Sequence, residues 1–287
     1  MKNLSFFFLL AFLACPLRAQ DAAKKTDNSK LLVLGVVDEL SSASLSEKRT
    51  LNIYLPEGYN PADTLHYPVL YVLDGSLHED FVHVTGAIQF NTLSWVNRIP
   101  PSIVVGIANV DRKRDFTFPT RIEQDKKRYT TSGGSEKFIQ FIEKELQPFI
   151  EKKYKGNAQR TLIGQSLGGL LATEILFKKP HLFNKYIIIS PSLWWDDASL
   201  LAMNPPVLQE GFGKKIEVYV GVGKEGLSPS VVPHVMEVDA NLLAEKLQYS
   251  KNPHLKTFFD YLPQEDHATI THQAVFNAIR ALFPVRK

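Results

Sequence analysis

Cysteine is all but missing from this 287-residue chain: the single thiol is Cys15, near the amino terminus. One cysteine cannot build a disulfide frame or a cysteine-ligated zinc site, and this one sits in an apolar leader whose removal would end thiolate chemistry altogether. A dominant charge is lacking too. The formal net charge is +3, falling to +1 without Lys2 and Arg18, which is no signature for nucleic acid or an anionic membrane. The apolar run Leu4 to Leu13 is too short to span a bilayer comfortably. The histidines show no paired zinc spacing and no glycine-rich phosphate loop is present, so neither a metal nor another cofactor is expected. Internal repeats and low-complexity linkers are absent as well, which leaves one large domain with a well-buried core.

What is present begins with an address. Lys2, the apolar run, and Ala14-Cys15-Pro16-Leu17-Arg18-Ala19-Gln20 describe a secretory signal, with cleavage after Ala19. The expected organisation is a signal over 1–19, a polar leader over 20–30 and a single domain over 31–287, secreted or periplasmic. The alternative address is a lipoprotein anchored at Cys15.

The most telling stretch is Thr161-Leu162-Ile163-Gly164-Gln165-Ser166-Leu167-Gly168-Gly169-Leu170. It reads as the end of an apolar strand, a Gly-x-Ser-x-Gly turn and the start of a helix. A serine on so sharp a turn is lifted out of the sheet, and the next amide, on Leu167, points to where an oxyanion would form. The bland alternative is a serine capping a helix beside packing glycines.

Elsewhere strands and helices alternate. Strands are expected at Leu31 to Val37, Leu51 to Leu55, Tyr67 to Leu73, Pro101 to Ala108, Lys185 to Ser190, Ile216 to Gly221 and Thr257 to Leu262. Helices are expected over about Glu79 to Asn97, over Ser135 (as cap) to Tyr154, over Val238 to Tyr249 and over Ala268 to Phe283. Asn109 to Gly134 reads as a long loop. The pattern predicts an α/β fold with a mostly parallel sheet covered on both faces, its chemistry at the carboxyl ends of the strands.

That placement selects partners for Ser166. A serine hydroxyl needs an imidazole within reach and a carboxylate to orient the ring. His267 directly follows the last strand and is the expected base; His254 lies at the wrong end and His272 one turn on. His78 and His83 suit substrate contact better. Glu225 follows the strand Ile216 to Gly221 and is the expected acid, with Asp196, Asp197 and Asp239 as rivals. The second oxyanion donor is expected after Leu73, from the N–H of Gly75 or, preferred, Ser76.

Four segments together, Leu70-Tyr71-Val72-Leu73-Asp74-Gly75, Arg112-Lys113-Arg114-Asp115-Phe116-Thr117-Phe118-Pro119-Thr120, the Ser166 turn, and Ser190-Pro191-Ser192-Leu193-Trp194-Trp195, resemble an esterase family of α/β-hydrolases. That family includes esterase D, enterochelin and salmochelin esterases, feruloyl esterases and the antigen 85 acyltransferases. The resemblance runs from Glu47 to Phe283 and is strongest to the siderophore-hydrolase branch. Gln165 stands where many relatives have His, and Thr117-Phe118-Pro119-Thr120 where relatives have Thr-Pro. The resemblance implies an α/β-hydrolase fold and a cofactor-free serine carboxylesterase. Its substrate would be a small-molecule or oligomeric ester: a catecholate trilactone, or a feruloyl or acetyl ester of plant polysaccharide. Acyl transfer to a sugar and a non-enzymatic binding role are the remaining alternatives. Arg112 and Arg114 suit an acidic or catecholate oxygen, or an ion pair with Asp111 or Asp115. Trp194 and Trp195 suit stacking on an aromatic acyl group, or core packing.

Overall fold

Alternation along each strand builds two apolar surfaces. In β3 (Tyr67–Val72), Val69 and Tyr71 enter one buried cluster, while Leu70 and Val72 enter the other. The same split separates Ile103 and Val105 from Val104 in β4 (Ile103–Ile107), and Leu162 from Ile163 in β5 (Gly156–Gln165). It recurs in β6 (Lys185–Ile189), where Tyr186 and Ile188 oppose Ile187 and Ile189. Strands apolar on both faces must be covered on both faces. Helices Ser135–Phe141, Gln147–Tyr154, Leu167–Lys178 and Met236–Gln248 line the first cluster. Helices Phe81–Thr92 and Ile270–Leu282 line the second.

The computed structural model describes residues 30–62 and 64–284; the expected signal lies outside them. The chain divides after Leu34. Of the segment before that point, residues 30–34 are described, without helix or strand. From Gly35 onward, and among the described residues, β1 (Val36–Ser42), β2 (Glu47–Tyr54), β7 (Ile216–Gly223) and β8 (Leu255–Leu262) complete one eight-stranded sheet. Its order is β1-β2-β4-β3-β5-β6-β7-β8. The pairs β1–β2 and β2–β4 are antiparallel and the remainder parallel. No helix of the described residues is long and apolar enough to cross a membrane.

Three local expectations change. The first strand begins at Val36 rather than Leu31, because the turn after Ser42 fixes an antiparallel register that pairs Val36 with Ile53. Gly134, not Ser135, occupies the cap of the Ser135 helix. That helix runs on to Tyr154 through a wide π segment, Ile142–Leu146, just before Pro148. Proline has no N–H and its ring crowds the preceding turn, so a wider turn there accommodates it. The stretch expected as an irregular loop, 109–134, holds two short helices, Arg112–Phe116 and Glu123–Arg128.

Candidate active site

β5 ends at Gln165 and the next helix starts at Leu167, leaving Ser166 alone in the turn with φ 60° and ψ −119°. A positive φ at a residue bearing a Cβ costs of order 1–3 kcal/mol and persists only where the surroundings impose it. Here its N–H donates to Ile189 O at 3.0 Å, and its carbonyl accepts from Ser192 N at 3.0 Å and Leu170 N at 2.9 Å. Two glycines make the turn sterically possible. A Cβ on Gly164 would lie 2.4 Å from Gly168 O, and one on Gly169 would lie 2.9 Å from Ile189 O.

The loops after β5, β7 and β8 bring three side chains into line. Ser166 Oγ lies 3.0 Å from His267 Nε2, and His267 Nδ1 lies 2.6 Å from Glu225 Oε2. The histidine side chain is 45% exposed and the glutamate 3%. Burial alone would raise the Glu225 carboxyl, but hydrogen bonds from His267, Ser190 Oγ and the Gly223 N–H outweigh it and hold the group below its ordinary range. Glu225 therefore remains anionic beside the imidazole, as an orienting carboxylate must. The rival acids are engaged elsewhere. Asp196 accepts from Thr120 Oγ1 and the Arg121 N–H, while Asp197 and Asp239 flank His234.

For an oxyanion, the Leu167 N–H is available: as the first residue of its helix it has no partner within it. The Gly75 N–H is committed to Ile107 O at 3.0 Å, which removes one of the two expected second donors. The Ser76 N–H makes only a long contact of 3.4 Å with Glu79 Oε2 among the described residues. His78 is exposed two residues further on.

Several side chains expected at the substrate are used internally. Arg112 pairs with neither Asp111 nor Asp115; its Nε and Nη2 donate to the two oxygens of Asp74 at 2.6 and 2.9 Å, and Nη2 also reaches Gln165 O at 3.3 Å. Arg114 does take the ion-pair role, with Asp115 at 2.7 Å and Glu47 at 2.6 and 3.0 Å. Trp194 is 3% exposed and Trp195 fully buried. Trp195 donates from its indole to Phe118 O at 2.8 Å, and both rings pack on Tyr129. The tryptophans are thus core, because the 109–134 segment closes over them.

Sequence reasoning missed three contributors. Gln165, noted only as standing where many relatives have His, donates from Nε2 to the His267 carbonyl at 2.8 Å, tying the histidine loop to the serine turn. In Ser190-Pro191-Ser192 the tryptophans that follow drew attention, but the serines touch the site: Ser190 Oγ bonds Glu225, and Ser192 Oγ lies 3.3 Å from Ser166 Oγ. The signal was available, since a polar pair at the end of a strand between the serine and acid strands must face both.

Beside the Ser76 segment sits an acidic group whose titration can be tested. Asp80 is pushed up to about 7 by burial, reinforced by the carboxylates of Asp74 and Glu79 and opposed by Arg112. A carboxyl raised on folding penalises the folded state progressively as pH climbs from about 4 to about 7. Its side chain makes no capping bond to the following helix, so Asp80→Asn loses none. The variant should gain roughly 1–2 kcal/mol at pH 8 and almost nothing at pH 4. Melting curves across that range decide; an equal change at both ends would sink the explanation.

A parallel sheet with a left-handed serine turn and Ser–His–Glu hydrogen bonds at its carboxyl edge is the architecture of an α/β-hydrolase. The comparisons narrow this. A family model described as "Putative esterase" matches residues 42–281. The Bacillus subtilis ferri-bacillibactin esterase BesA is 29% identical over 84% of this chain and 88% of its own length. An IroE-like serine hydrolase of Shewanella oneidensis has a solved structure with a TM-score of 0.76 and 33% identity, covering 87% of this chain and 80% of that one. The BES protein of Bacillus cereus superposes with a TM-score of 0.76 at 28% identity, over 91% and 99% of the two chains. The chain belongs to the Putative esterase family and is a carboxylic-ester hydrolase.

Proposed function

We propose that this protein hydrolyses catecholate siderophore esters through an acyl-enzyme on Ser166. The line from Ser166 Oγ through His267 to Glu225, with contacts of 3.0 and 2.6 Å, carries the mechanistic part. His267 takes the hydroxyl proton as Ser166 attacks the ester carbonyl, and Glu225 holds the resulting imidazolium. The N–H groups of Leu167 and Ser76 stabilise the oxyanion; the Ser76 N–H gives up its long contact to Glu79 to do so. His267 then protonates the leaving alcohol, and a water activated by the same imidazole cleaves the acyl-enzyme.

The substrate class rests on named relatives. One is the ferri-bacillibactin esterase, and another is the iron(III) salmochelin esterase of Escherichia coli, 27% identical over 69% of this chain and 47% of its own length. Export through the amino-terminal signal, with cleavage after Ala19, would place the enzyme where such complexes arrive; sequencing the mature amino terminus tests that address.

Purified protein is offered a ferric catecholate trilactone, methyl ferulate and acetylated xylan, and products are followed by chromatography. The trilactone should be opened with a kcat/KM roughly 100-fold or more above either plant ester, a gap that several shape-dependent contacts can supply. The reverse ranking would move the enzyme to plant esters. A product that appears only when an acceptor alcohol is added would make it an acyltransferase.

A further inference from the structure

The loop that carries Glu225 is folded around a second carboxylate. Glu237 lies in the first turn of helix Met236–Gln248. Its Oε1 accepts the Glu225 N–H at 2.8 Å, and the Gly226 N–H reaches Oε1 at 3.0 Å and Oε2 at 2.9 Å. Two successive backbone N–H groups converging on one anion form a nest, and the φ of 73° at Gly226 gives the backbone that curvature. An acidic side chain in a helix's first turn also suits the helix dipole. The Glu225 side chain runs the other way, to Ser190 Oγ, the Gly223 N–H and His267 Nδ1. One residue is thus gripped twice: its main chain by Glu237, its carboxylate by the reacting machinery.

Other polar ties join this loop to the fold: Leu227 bridges to Val235, Ser228 N donates to His234 O at 2.8 Å, and Arg128 Nη1 donates to Pro229 O at 2.5 Å. Lys224 N donates to Glu265 O at 2.8 Å and Met236 N to Gly226 O at 2.9 Å. Beyond Gly226 the chain leaves the core: Leu227 is 73% exposed and Val231 58%. Apolar burial therefore contributes little beyond Gly226 and polar contacts hold the loop; among them, those of Glu237 are the ones made to the main chain of Glu225 itself.

We infer that Glu237 is a positioning residue of the ester-hydrolysis reaction, setting the Glu225 main chain so that its carboxylate meets His267 Nδ1. The inference rests on Glu225 being the acid of the proposed triad, and the test separates the two. Glu237→Ala, Glu237→Gln, Glu225→Ala and the Glu225→Ala/Glu237→Ala double variant are assayed with a short p-nitrophenyl ester, each after a melting curve. Displacement of an orienting group by a fraction of an ångström should lower kcat roughly 10- to 50-fold in Glu237→Ala, with KM within about twofold of wild type. Glu237→Gln keeps one acceptor oxygen and should recover most of the loss. The double variant should match Glu225→Ala within about twofold, since Glu237 then has nothing to position. The inference is overturned if folded Glu237→Ala, or Glu237→Gln should the alanine variant not fold, raises KM and leaves kcat intact. It is equally overturned if the two losses multiply in the double variant. Wild-type kcat in Glu237→Ala beside a large loss in Glu225→Ala overturns this inference alone. Wild-type kcat in Glu225→Ala overturns the acid assignment, and this inference with it.

Discussion

Ser166→Ala and His267→Ala should each lower kcat/KM for a short p-nitrophenyl ester by roughly 10⁴- to 10⁶-fold, and the double variant should be no worse than either. The expectation follows from the contact of 3.0 Å between Ser166 Oγ and His267 Nε2. The serine is a poor nucleophile until the imidazole takes its proton, so either loss disables the same step. An organophosphonate should label the wild type and leave Ser166→Ala untouched. Retention of more than a tenth of the activity by Ser166→Ala would remove the acyl-enzyme from the mechanism. The melting curve of Ser166→Ala should stay close to wild type, because the clamp on the turn uses the backbone of residue 166, not its hydroxyl.

The largest loss of stability is expected from a residue outside the chemistry. Asp115→Ala should destabilise the fold by about 3–5 kcal/mol, lowering Tm by roughly 10 °C. Asp115 is buried between Arg49, which is wholly buried on β2, and Arg114, whose Nε lies 2.7 Å away. Arg49 already has two nitrogens, Nε and Nη1, without partners among the described residues, and its guanidinium lies 5.0 Å over the Phe138 ring. Removing Asp115 leaves that cation paired only with Glu47, at 2.9 Å. Glu47→Gln, on the more exposed side of the network, should cost far less. A melting shift of under 2 °C for Asp115→Ala, measured beside Glu47→Gln, would show that Arg49 is satisfied in another way.

The serine turn was readable because its information is local: an apolar strand, Gly-Gln-Ser-Leu-Gly-Gly and a helix occupy ten consecutive residues. The positions of His267 and Glu225 followed from strand order, since loops after parallel strands share one edge of a sheet. Local sequence carries no such information about partners. Nothing around Arg114 points to Glu47, which pairs with it from β2, and nothing around Arg112 points to Asp74 at the end of β3. A guanidinium aimed at a ligand and one aimed at the protein look alike until the chain is folded. The choice between stacking and core packing for the tryptophans was hidden for the same reason: their burial depends on Phe118 and Tyr129, some 65 to 77 residues earlier in the chain. Val36 to Ser42 was hard to place as a strand because an edge strand alternates weakly, and here it carries Asp38, Glu39, Ser41 and Ser42.

The turns and loops after four adjacent strands, β5 to β8, carry Ser166, then Ser190 and Ser192, then Glu225, then His267. Each group follows its own strand, so the pairing of the sheet brings all of these loops to one edge. The segments 109–134 and 227–235 also leave the sheet, after its parallel strands β4 and β7. On the proposed mechanism, bond-breaking therefore belongs to the short loop ends beside the sheet and not to those longer excursions. A change of length or charge within 227–235 would then leave the reacting groups where the sheet edge puts them.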